Sequence, residues 1–198
     1  MDNKTVNNIS EAPIETHPFK PFIPEGARIL IMGTFPPQPK RWAMDFYYPN
    51  RTNDFWRIMG LIFFGDADRL YDPALKKFNE MSIKELLERK KIAMSDTGYR
   101  IRRLKGNASD KFLEIVEPAH LTELLAMMPD CKAIATTGEK AADVLATLTS
   151  TEPPKIGEYV MFEDIEIWRM PSTSRAYPLP LAQKALPYEK MFKNIGIL

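Results

Sequence analysis

The sequence predicts an α/β fold, a three-layer α/β/α sandwich around a central, mainly parallel sheet. Three observations predict it. Short apolar runs stop at glycine or threonine-glycine, as residues 27–32 do before Gly33 and residues 131–135 before Thr136-Thr137-Gly138, which is the length and ending of buried strands. Segments of helical spacing separate these runs, and strands alternating with helices need crossovers that cover both faces of a parallel sheet. With 198 residues, 44% of them hydrophobic, the chain supports one sizeable core and is short for two domains joined by a linker.

Residues 1–26 are polar and proline-bearing, with His17-Pro18-Phe19-Lys20-Pro21-Phe22 among them, and read as an N-terminal arm, partly mobile, that packs by a few aromatics. Residues 27–198 read as the single domain. Residues 27–32 make the first strand. Asn53 is placed to cap a helix running through Phe55, Trp56, Ile58, Met59, Leu61 and Ile62 to Gly65. Ser82 with Glu85 has the capping-box pattern and opens a helix to about Lys90; residues 92–94 then form a brief strand and 95–98 a strand-end loop. A helix over 122–128 stops at Pro129, and the strand at 131–135 leads to a helix over 139–148. After Pro153-Pro154, residues 158–162 and 165–170 look like strands around a Glu163-Asp164 turn, and 181–195 is a helix interrupted or started late by Pro187. No internal repeat or low-complexity segment is present.

Composition narrows the function classes. The lone cysteine, Cys131, excludes an internal disulfide and a four-cysteine metal or iron-sulfur site, so a cytoplasmic protein without metal or cofactor is the economical reading. No signal peptide is recognisable, and no apolar run approaches the roughly 18 residues of a spanning helix. Net charge is +1, from 27 basic and 26 acidic residues, which gives no global pull toward nucleic acid. Positive charge is local instead: Arg89, Lys90, Lys91, Arg100, Arg102, Arg103 and Lys105 follow one another with only Asp96 among the acids. Such a run is usually a solvated surface, and it matters for binding only if the fold sets it beside a site.

Two stretches carry chemistry. Gly33-Thr34-Phe35-Pro36-Pro37 opens a turn where a strand ends, the place where open α/β sheets bind ligands, and Tyr47-Tyr48 and Asn53 follow it with aromatic faces and an amide. Pro171-Ser172-Thr173-Ser174-Arg175 is a hydroxyl-rich turn with a cation, suited to phosphate. Each has a bland counterpart. Gly-Pro turns punctuate many strands, Phe55 and Trp56 belong to a helix core, and Asn53 is most cheaply a cap. Tyr47 and Tyr48 lie outside helical spacing, so at least one ring is expected at the mouth beside Gly33. Dinucleotide and P-loop fingerprints are absent, and neither histidine, His17 or His120, stands in a nucleophile-triad pattern; both read as structural or surface residues.

At these residues the chain resembles the uracil-DNA glycosylase superfamily, most closely its hypoxanthine-DNA glycosylase-like branch. The superfamily's Gly-x-x-Pro is matched by Gly33 to Pro36, the branch's Tyr-Tyr, Asn and Phe-Trp pattern by Tyr47-Tyr48, Asn53 and Phe55-Trp56, and its late Pro-Ser-Thr-Ser by Pro171 to Ser174. Asp96 ends a strand as in the branch, and Thr137-Gly138 with the helix after it also fits, so the likeness spans nearly all of the chain after Pro21. Two positions depart from the best-known members. Phe35 stands where an Asp or Asn acts on water, and Met170 where a His or Asn opens the late motif.

The resemblance implies a monomeric, monofunctional DNA repair glycosylase that flips a deaminated base, hypoxanthine or uracil, out of DNA and hydrolyses its N-glycosidic bond. Asn53 would hold the attacking water. Gly33, Thr34, Phe35, Tyr47, Tyr48 and Asp96 would bind the base; Ser172, Thr173, Ser174 and Arg175 would hold DNA, with Arg100, Arg102 and Arg103 adding positive charge. Phe35 and Met170 keep an alternative open, a module of the same fold that binds damaged or single-stranded nucleic acid without cutting it.

Overall fold

The structure, a computed structural model, describes residues 12–105 and 110–198. Its elements in chain order are β1 (Ile14–Thr16), β2 (Ile29–Gly33), α1 (Phe55–Phe64), β3 (Tyr71–Asp72), β4 (Lys77–Phe78), α2 (Glu80–Lys90), β5 (Ile92–Asp96), β6 (Gly98–Arg103), β7 (Leu113–Pro118), α3 (Leu121–Ala126), β8 (Ala133–Thr136), α4 (Glu139–Thr149), β9 (Tyr159–Phe162), β10 (Ile165–Arg169) and α5 (Leu181–Asn194). Five strands form the central sheet in the order β5-β2-β8-β10-β9. The first four run parallel, and β9 closes the edge antiparallel to β10.

Strand periodicity produces the layers. Along β2, Ile29 and Ile31 face a core built with α1, α2 and α5, while Leu30 and Met32 face one built with α3 and α4. This is the expected α/β/α sandwich. A second, antiparallel sheet, β1-β6-β7, leaves the carboxyl end of β5 through Thr97. The described part of the arm belongs to the body: β1 pairs with β6, and Phe22 bridges Met94 on the outer edge of β5. Residues 1–11 of the expected arm lie outside the described residues.

Several boundaries differ from expectation. Asp54, not Asn53, holds the cap position of α1, and Asn53 Oδ1 instead accepts the N–H of Phe55 at 2.9 Å. Helix α2 begins ahead of Ser82 because Asn79 caps it, its side chain accepting the Ser82 N–H at 3.0 Å. Strand β5 runs on through Asp96, so the expected loop at 95–98 is nearly all strand. Helix α5 passes through Pro187 unbroken, because Tyr188, Met191 and Phe192 beyond it are wholly buried against the core and outweigh one missing hydrogen bond.

Candidate active site

The four parallel strands end on one side, and Gly33, Asp96, Thr137, Arg169 and Met170 at those ends line a cavity of about 1460 Å³. Several loops add to it, among them residues 34–37 after β2, Tyr48, Asn50 and Asn53 before α1, and Ser172 to Tyr177 before α5. A carboxyl-edge crevice is where an open parallel sheet leaves chain free to form a site.

Tyr48 is held in a left-handed backbone conformation, φ 51°, which a bulky side chain adopts only where its surroundings impose it. Trp56 Nε1 fixes the loop by donating to the Tyr47 carbonyl at 2.9 Å. The Tyr48 ring stacks on Phe55 with centroids 4.1 Å apart, and its hydroxyl meets Thr137 Oγ1 at 2.7 Å. Burial, and then the nearby Asp96 charge, pushes the phenol well above its ordinary value, so it stays protonated. Tyr47 corrects the expectation for the pair: it is 1% exposed, its hydroxyl donates to the Lys20 carbonyl, and it packs in the core away from the cavity. Consecutive residues around so sharp a turn point apart, which leaves Tyr48 alone at the mouth.

Gly33 lies in register with Asp96 on the neighbouring strand. A Cβ on Gly33 would stand 2.6 Å from Asp96 Oδ1 and 3.1 Å from the Tyr48 hydroxyl, so the glycine makes room for both groups. Asp96 is 7% exposed; its Oδ2 binds His17 Nε2 at 2.9 Å. Among the described residues no hydrogen-bond donor takes Oδ1, and the residue lines the cavity. Thr34 Oγ1 donates to Asp110 Oδ2 at 2.9 Å, and desolvation of that carboxyl, with Asp96 as a like charge nearby, raises it from its ordinary value against the pull of Thr34, Arg103 and Lys140. Phe35 lines the cavity with its ring edge against His17 and the Arg103 guanidinium over its face.

Asn53 is half-buried and lines the cavity. Oδ1 accepts from Phe55, and among the described residues no partner takes its second lone pair or the Nδ2 group, which are open to a guest. The residue also forms a bridge with Ser174, and the Asp54 N–H donates to the Thr173 carbonyl at 2.7 Å, so the late turn is sewn to the start of α1. Thr173 is buried, Ser172 half-buried and Ser174 exposed on the rim. Arg175 lines the cavity but spends Nε on Asp54 Oδ1 at 3.2 Å.

The basic run divides. Arg103 reaches the cavity, fixed by Glu15 at 2.8 Å and donating to the Pro36 carbonyl at 2.7 Å. Arg100 and Arg102 do not reach it: they lie outside the lining and pair across the strands with Glu117 and Glu114. Sequence reasoning does not reach Arg41, Asp110, Lys140 and Arg169, which also line the cavity, or His17 and Lys184, which are buried behind it. For Lys184 a signal existed, a lysine on the stripe of α5 that also carries Ala185, Tyr188 and Met191. Among the described residues no helix is long and apolar enough to cross a membrane, and no group of three or more His, Cys, Asp and Glu is placed to hold a metal.

The chain matches no family model. It is 30% identical over 125 residues to the hypoxanthine DNA glycosylase of Methanosarcina barkeri strain Fusaro, a match covering 63% of this chain and 72% of that protein. Its fold is similar to the solution NMR structure of a candidate uracil DNA glycosylase from Methanosarcina acetivorans, with a TM-score of 0.62, 21% identity, and coverage of 93% of this chain and 99% of that one.

Proposed function

The chain belongs to the uracil-DNA glycosylase superfamily, and from that membership we propose that it is a monofunctional DNA glycosylase for deaminated bases. The observation that carries this reading is the convergence of three features on one cavity: a Tyr48 face backed by Phe55, the Asp96 Oδ1 acceptor, and the Asn53 amide. A base in a duplex is out of reach, so the enzyme extrudes it, at roughly a few kcal/mol and least for a mispaired lesion. The base then lies on Tyr48 and reads its Watson–Crick edge against Asp96. Deamination converts N1 of adenine, or N3 of cytosine, from an acceptor into an N–H donor, and a carboxylate oxygen accepts from the product while repelling the parent.

Asn53 would hold water below the sugar. An amide is a weak base, so the glycosidic bond breaks ahead of water attack and the sugar passes through an oxocarbenium-like state. Purines gain more from the Tyr48 and Phe35 surfaces than pyrimidines do, so hypoxanthine is expected to leave faster than uracil. Phe35, which cannot activate water, favours the second reading, a nucleic-acid-binding module without turnover.

One experiment separates the two: single-turnover excision from matched oligonucleotides bearing hypoxanthine, xanthine or uracil, by wild type and Asn53→Ala. Expected are excision with hypoxanthine fastest, loss of turnover in Asn53→Ala, and lesion binding kept within about tenfold. Folded wild type that binds but releases none of the three bases establishes the binding module instead.

A further inference from the structure

Building on the deaminated-base reading of the pocket, we infer that His17 is a positioning residue: its imidazole holds the Asp96 carboxylate with Oδ1 turned to the base, which makes the N-terminal arm part of the recognition site. A carboxylate offers one chosen oxygen only if the other is fixed. Here Oδ2 is fixed by His17 Nε2 at 2.9 Å, and Oδ1 occupies room that exists because residue 33 has no Cβ.

The imidazole is itself immobilised. Its Nδ1 sits on the Phe19 backbone, 2.9 Å from the carbonyl and 3.1 Å from the N–H, so a partner is present for either tautomer. Tyr47 stacks on the ring, with centroids 5.7 Å apart, while Phe35 and Phe19 meet it edge-on at 5.1 and 5.8 Å. The chain on either side is pinned: the His17 N–H donates to the Tyr99 carbonyl at 2.8 Å, and Phe22 exchanges two backbone hydrogen bonds with Met94 on the strand that ends in Asp96. The polar reach of this buried histidine thus ends on a carboxylate that faces the cavity, and Phe35, in T-shaped contact with the ring, lines the same cavity. A histidine that only filled the core would need neither neighbour at the site.

The test compares His17→Phe, which keeps the aromatic packing without a donor, with His17→Gln, which keeps a donor near Oδ2. Single-turnover excision is measured on oligonucleotides carrying hypoxanthine or unsubstituted purine, a base without the ring N1–H. Wild type should prefer hypoxanthine, His17→Phe should lose that preference by about tenfold or more, and His17→Gln should keep much of it, since the contact at stake is a hydrogen bond to a charged group. Should His17→Phe fail to fold, His17→Asn, whose shorter amide falls short of Oδ2, takes its place against His17→Gln. Equal losses on both bases, with the preference unchanged, overturn the role of His17 and leave the glycosylase reading standing. Wild type that excises neither base overturns that reading and this inference with it.

Discussion

Lys184 Nζ lies 2.8 Å from Asp54 Oδ2, and both side chains are closed to solvent, at 1% and 11% exposure. The same ammonium donates to the Ser174 carbonyl at 2.8 Å. One buried cation on α5 thereby joins the residue after Asn53 to the turn that carries Ser172, Thr173 and Ser174, two segments more than a hundred residues apart in sequence. A buried ion pair is weak evidence of net stability, because desolvation offsets attraction, but removing one partner strands the other charge.

Lys184→Met is therefore expected to cost about 3 kcal/mol, the low end for breaking a buried pair, because Arg175 remains as a second partner of Asp54. Urea denaturation reads the loss. Excision per folded molecule should also fall, since Asn53 and the late turn lose their shared anchor. A cost below about 1 kcal/mol with unchanged activity would show that the pair holds nothing in place.

Gly33→Ala tests the close approach under the pocket. The glycine sits in strand conformation, so the argument is steric rather than conformational: the new methyl would meet Asp96 Oδ1 at 2.6 Å and the Tyr48 hydroxyl at 3.1 Å. Either the carboxylate turns away or the tyrosine moves. Overpacking of this kind costs roughly 1–3 kcal/mol, and the loss in hypoxanthine excision should exceed what that lower stability explains. Melting temperature and single-turnover rate, measured on the same preparation, check it; an alanine variant with wild-type values for both would refute the crowding.

How far the sequence exposes this site follows from the range of each interaction. Sheet and helices are written in local periodicity, as the alternation of Ile29 and Ile31 with Leu30 and Met32 between two cores makes plain. Gly33, Tyr48, Asn53, Asp96 and the Ser172–Ser174 turn converge because each follows or precedes an element whose ending the sequence marks. Tyr47 was indistinguishable from Tyr48 there, since only the left-handed turn at Tyr48 decides which ring goes inward. His17 with Asp96 and Lys184 with Asp54 are pairs 79 and 130 residues apart. No local pattern joins such partners; only the sheet order and the path of the arm bring them together.

The arginines show the same limit and yield the last prediction. A basic run in sequence suggests a phosphate surface, yet Arg100 and Arg102 stand opposite Glu117 and Glu114 in the β6–β7 ladder, where cross-strand pairing already neutralises them. Arg41 and Lys140 come from remote parts of the chain to line the cavity, and among the described residues neither forms an ion pair. Each phosphate neutralised releases condensed counterions, so the logarithm of affinity falls with the logarithm of salt by about 0.9 per contact on duplex DNA. Arg41→Ala and Lys140→Ala should each weaken binding to every sequence alike and flatten that slope by about one, while Arg100→Ala and Arg102→Ala leave it unchanged. Titration of a labelled duplex across a range of salt concentrations measures all four. A slope that flattened for Arg100 and Arg102 but not for Arg41 and Lys140 would place the DNA on the β6–β7 face, away from the cavity, and would separate phosphate binding from the proposed base site.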